Sequence, residues 1–128
     1  MESIIIAAPY SYDVTLRSRI PGKYVVREGD AGTTVIEDGN TRIYVSQNES
    51  IRSDLEDRQL ATVIGTIPSP VFYSIDFSDV AFCRDILLAI ADDPDILVDN
   101  DHGVMLPGSE FVRVLRSQHD WDWRRDRP

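Results

Sequence analysis

The residues whose types and spacing come nearest to a chemical motif lie in Asp99-Asn100-Asp101-His102-Gly103, with Glu110 seven positions beyond Gly103. Asp99, Asp101 and Glu110 fall at the first, third and twelfth positions of a calcium-binding loop, where carboxylate oxygens are needed. The pattern then departs. Such a loop has its glycine at the sixth position, but here Gly103 is fifth and Val104 sixth, and the apolar run Ile96-Leu97-Val98 precedes Asp99 where a helix is required. A β-turn with Gly103 in a left-handed conformation explains the same residues. His102 beside two carboxylates is a candidate general base, because neighbouring negative charge favours the imidazolium; a solvated turn histidine explains the same residues and is the favoured reading, since such clusters are unspecific.

The remaining reactive side chains are isolated. His119 is 17 positions from His102, and Cys83 is the single cysteine, so neither a zinc spacing nor an internal disulfide is available. Cys83 shares a helical face with Val80, Leu87 and Ile90, which favours a buried thiol over a nucleophile. No nucleophile elbow, phosphate-cradling glycine loop or dinucleotide fingerprint occurs, and no cofactor is expected.

Charge is the stronger signal. The 128 residues carry 13 basic and 22 acidic side chains, a formal charge of −9. Eight of the carboxylates (Asp76, Asp79, Asp85, Asp92, Asp93, Asp95, Asp99, Asp101) lie between positions 76 and 101, against Arg84 alone. The intervening residues are apolar, so these acids are expected at helix ends and turns along one rim. Such a rim either solvates the fold or steers a basic protein toward it. Nucleic acid and anionic membranes are excluded as partners because both need clustered Lys and Arg. At the far end, Trp121 and Trp123 carry apolar surface large enough to favour folding back onto the domain; otherwise, with Arg124 and Arg125, they have the composition of an interface hot spot.

Those side chains need a scaffold. Ile4 to Ala8 reads as a buried strand closed by a turn at Pro9-Tyr10-Ser11-Tyr12. Lys23–Arg27, Thr33–Glu37 and Thr41–Val45 are β-branched and aromatic, with Asp38-Gly39-Asn40 as a hairpin turn, so residues 1 to 47 read as mostly antiparallel β. Ser53 and Glu56 have capping-box spacing for a short helix from about Asp54, and Ala61 to Ile67 turns β-branched. Val71 to Phe77 alternates as a strand with Tyr73, Ile75 and Phe77 on one face. A buried helix follows, capped by Ser78 and stopped near Pro94. Ile96–Val98 and Val104–Leu106 form a hairpin, and Ser109 starts a last helix with Phe111, Val112 and Leu115 inward. The sum is an α+β fold: one domain over residues 1 to 116, mostly antiparallel sheet with two or three helices, and a tail over 117 to 128. With no signal peptide, no membrane-length apolar run and no disulfide, a cytoplasmic location is expected.

The function these features favour is a non-enzymatic protein-binding domain. It would engage a basic partner through Asp92, Asp93, Asp95, Asp99 and Asp101, with Trp121 and Trp123 as accessory contacts. In size, acidity and lack of catalytic motifs the chain is similar to the small cytoplasmic immunity proteins and inhibitors that neutralise basic nuclease toxins. That resemblance is one of character and assigns no residue. Two readings compete: a small enzyme or calcium-binding protein using the Asp99 to Glu110 segment, and a self-associating structural subunit.

Overall fold

The computed structural model describes residues 1–128 as an α+β domain built on one seven-stranded sheet. The strands are β1 (Glu2–Ala8), β2 (Val25–Glu28), β3 (Thr33–Asp38), β4 (Thr41–Gln47), β5 (Val71–Phe77), β6 (Leu97–Asp99) and β7 (Met105–Pro107). Their order in the sheet is β2-β3-β4-β5-β1-β6-β7, antiparallel throughout. β1 lies inside the sheet, paired with β5 from Glu2↔Phe77 to Ala8↔Val71 and with β6 on its other side. That position explains its unbroken apolar run: Ile4, Ile6 and Ala8 enter the main core while Ile5 and Ala7 meet the second, smaller one.

Five helical segments, α1 (Tyr12–Arg19), α2 (Ile51–Asp54), α3 (Asp57–Thr66), α4 (Val80–Ile90) and α5 (Gly108–Ser117), cover the sheet unequally. α1, α4 and α5 bury their apolar sides in a cluster of 29 residues, which also takes Ile43, Tyr73, Ile75 and Phe77 from the sheet. α2 and α3 cover part of the opposite face, where Ile51, Val63 and Ile67 pack with Ala7, Phe72 and Leu97. The rest of that face, Val25 and Val35 apart, carries polar pairs: Arg27 and Arg42 both pair with Glu37, and Ser3 and Ser74 donate to Asp76 Oδ1, each at 2.6 Å.

Several elements follow the sequence reading. The β3–β4 hairpin turns at Gly39, whose φ of +60° suits a residue without Cβ. α4 buries Cys83, Leu87 and Ile90 completely, and Phe111, Val112 and Leu115 face inward from α5. Other expectations are corrected. The turn expected at Pro9–Tyr12 is present, closed by Tyr12 N donating to Pro9 O at 3.0 Å, but it leads into α1, anchored by Tyr12 and Leu16 one helical turn apart, a helix that the reading of residues 1 to 47 as mostly antiparallel β left out. The helix expected from about Asp54 starts at Asp57, and its cap is Glu56 rather than Ser53. Glu56 accepts from the third-position backbone, and Gln59 Oε1 accepts from Glu56 N at 3.0 Å. Ala61 to Thr66 is therefore helical despite its β-branched residues, since Val63 and Ile67 both reach one apolar patch at helical spacing. Asp79, not Ser78, caps α4, accepting from Phe82 N at 2.9 Å. α5 begins at Gly108 behind Pro107, with no side-chain cap from Ser109.

Candidate functional site

The eight carboxylates between Asp76 and Asp101 do not share one rim. Asp76 lies on the open sheet face, Asp79 caps α4, and Asp85 is exposed on α4. The others fall at opposite ends of β6. At its start, Asp92, Asp93 and Asp95 occupy the α4–β6 turn, together with the β1–α1 and α3–β5 loops; at its finish, Asp99 and Asp101 occupy the β6–β7 turn. This corrects the single carboxylate face expected from sequence. The strand runs between the two groups of acids and sends them to its two ends, a separation that linear spacing conceals.

At the α4–β6 turn, two of the three acids are already partnered. Asp93 Oδ2 accepts from Arg19 Nη2 at 2.8 Å while its Oδ1 accepts from Asp95 N at 2.8 Å, so it closes the turn as well as an ion pair. The Arg19 guanidinium also lies 4.7 Å from the Tyr12 ring centre. Asp92 sits 3.7 Å from Arg116. Asp95 is exposed, and its carboxylate has no ion pair. The turn rests on the start of α5: Gly108 N donates to Ile96 O at 2.9 Å and Ser109 N to Asp93 O at 3.1 Å. A Cβ on Gly108 would stand 2.2 Å from Ala91 O, so this glycine is dictated by backbone proximity.

Beside Asp95 opens a cleft of about 410 Å³. Its walls include Pro9, Ile67, Pro68 and Pro94, one or more residues from each of the three loops, and Tyr10 stands at it 79% exposed. Sequence reasoning missed this site. Its available signal was three separate prolines in segments read as chain breaks, but their convergence depends on sheet order.

The β6–β7 turn uses its acids differently. Asp99 is only 3% exposed, which corrects its assignment to a solvent-facing surface. Its Oδ1 accepts from Asp101 N at 2.8 Å, and burial raises its carboxyl above the ordinary aspartate value against that hydrogen bond. Asp101 is exposed, at φ +62°, and Gly103 is left-handed as expected at φ +89°. Asn100 is buried with its amide in use: Oδ1 accepts from His102 N and Val104 N, and Nδ2 donates to Trp123 O at 3.2 Å. Glu110 lies on α5 beside Arg113, and the three carboxylates of the calcium-like spacing form no common ligand group. His102 is on the exposed turn surface and Cys83 is buried, its thiol raised by burial.

The two tryptophans belong to the main core, as the fold-back reading expects, and this removes them as exposed contact residues. Trp121 and Trp123 are 9% and 4% exposed, with ring centres 5.1 Å from Phe111 and 5.6 Å from Phe77. Trp121 Nε1 donates to Asp126 O at 2.8 Å. Arg124 then joins the two termini, reaching Glu2 at 2.7 Å and Asp122 at 3.1 Å, with Arg125 also on Glu2. The Arg124 hydrogen bond holds the Glu2 carboxyl below the usual glutamate value. No helix is long and apolar enough to cross a membrane.

Ion pairing also sharpens the electrostatics. Eight arginines pair with seven carboxylates, leaving 15 of the 22 acids but only five of the 13 bases outside ion pairs. Comparison with protein-family models, with curated proteins and with solved structures finds no match.

Proposed function

We propose that the protein is a non-enzymatic binding domain for a basic protein partner. The observation that carries this reading is the excess of outward acids: eight arginines pair with carboxylates, most of them at the surface, while acids including Asp85, Asp95 and Asp101 remain outward without an ion pair. A surface so biased accelerates encounter with a cationic protein and opposes an anionic one. The contact set differs from the sequence-derived one. Asp95 and Asp101 offer free charge, Asp92 and Asp93 contribute after competition with Arg116 and Arg19, and Asp99, Trp121 and Trp123 support the fold behind them. An immunity- or inhibitor-type role is the specific form of this activity in which the partner is an enzyme with a cationic cleft, met by the acids grouped at the start of β6.

The test is capture from the source cell with the wild-type chain and with Asp85, Asp95 and Asp101 changed together to Asn. Basic proteins should be retained by the wild type at low salt, released as salt rises and lost from the triple variant. An unchanged set of captured proteins would reduce the acidic surface to solvation.

A further inference from the structure

The cleft beside Tyr10 combines features that select a particular side chain. Its walls at Pro9, Ile67, Pro68 and Pro94 are apolar, its rim carries the exposed Tyr10 ring, and Asp95 adds a carboxylate without an ion pair. The nearby guanidiniums do not supply the missing charge, since Arg19 is held by Asp93 and Arg116 lies against Asp92. Proline rings fix their backbone φ, so these walls are formed before any ligand arrives. An apolar ligand would fill the walls but leave the Asp95 charge without a partner, and an anion would be repelled. A long side chain with a methylene stem and a cationic head satisfies both parts.

We propose that this cleft receives one arginine side chain of the partner, its stem between the prolines, its guanidinium over Tyr10 and against Asp95. Arginine is preferred to lysine because its planar head can stack on the ring while donating two parallel hydrogen bonds to a carboxylate. This deepens the reading above and rests on it for the identity of the partner as a basic protein. The rest of the acidic surface steers; the cleft sets register.

The experiment is an amide NMR titration of the full chain with N-acetyl-arginine amide, the isosteric neutral N-acetyl-citrulline amide serving as comparison. The arginine probe should shift the resonances of Tyr10, Ser69 and Asp95 saturably, and citrulline should bind at least threefold more weakly. Tyr10→Ala and Asp95→Asn should each weaken the arginine probe about threefold or more. Tyr10→Phe should retain most of the affinity, and Asp101→Asn should change nothing; the unperturbed spectrum of each variant reports its folding. Equal shifts with citrulline, or equal weakening by Asp101→Asn, would overturn the arginine pocket. Because this readout uses no partner protein, it can fail while salt-sensitive capture of basic proteins by the acidic surface persists, and the reverse result separates the two proposals equally well.

Discussion

The two ends of β6 carry similar sequences of carboxylates and turn residues, yet they do opposite work. Where the strand begins, Asp93 closes a turn and pairs with Arg19, leaving Asp95 outward beside an apolar cleft. Where it ends, Asp99 is buried beneath its own turn, Asn100 is bonded to the tail, and Glu2 and Asp122 clamp Arg124. The difference lies in what stands behind each turn. α5 begins at the first end and contributes backbone N–H groups, so the acids can remain at the surface. At the second, two indoles complete the core, and the polar groups around them must be paired internally.

The sharpest way to break this contrast is to remove an indole. Trp123→Ala should lower stability by about 3–5 kcal/mol, the usual cost of truncating a large core aromatic, measured by urea unfolding followed through the remaining Trp121. A loss below about 1 kcal/mol would mean that the tail only rests on the domain. At the other end, Gly108→Ala drives a Cβ into Ala91 O and should cost about 1–3 kcal/mol, an overpacking effect. An unchanged melting temperature there would show that α5 does not hold the acidic turn.

Titration gives a smaller and more diagnostic effect. The native carboxyl of Asp99 is raised by burial, so between the unfolded and native values the folded state holds more protons. Its contribution therefore falls as pH rises through that interval. Asp99→Asn keeps an acceptor for Asp101 N and should flatten this slope, with stability at pH 7 equal to or above wild type. Glu2 has the opposite sign: its carboxyl is lowered by Arg124, so its stabilisation is present above the unfolded value and lost as pH falls through the native one. Glu2→Gln should cost under about 1 kcal/mol at pH 7, as befits a partly exposed pair, and less at low pH. Smallest of all, Asp95→Asn and Asp101→Asn should each leave stability within about 0.5 kcal/mol, in thermal melts at neutral pH; a larger loss at Asp95 would assign it to the turn rather than to the cleft.

The elements legible in the sequence are those whose pattern reports burial directly. β1 shows as Ile4 to Ala8, β5 through Tyr73, Ile75 and Phe77, α4 through Cys83, Leu87 and Ile90, and the β3–β4 hairpin through Gly39. α1 was not legible, because only Tyr12 and Leu16 point inward while Val14 faces solvent. α3 was misread because its β-branched residues have a local strand preference that packing of Val63 and Ile67 overrides. The candidate site was half legible. Asp95 and its neighbours stand out as charge, but nothing local connects Tyr10 with Pro68 and Pro94.

By itself the sequence determined the charge excess, the α+β class, the buried cysteine and the turns that glycine makes possible, since these follow from composition and short-range periodicity. Only the tertiary structure decided where each charge points. It placed the acids at two ends of one strand, committed most arginines to partners and buried both tryptophans, because the order of strands and the packing of helices join residues that are far apart along the chain.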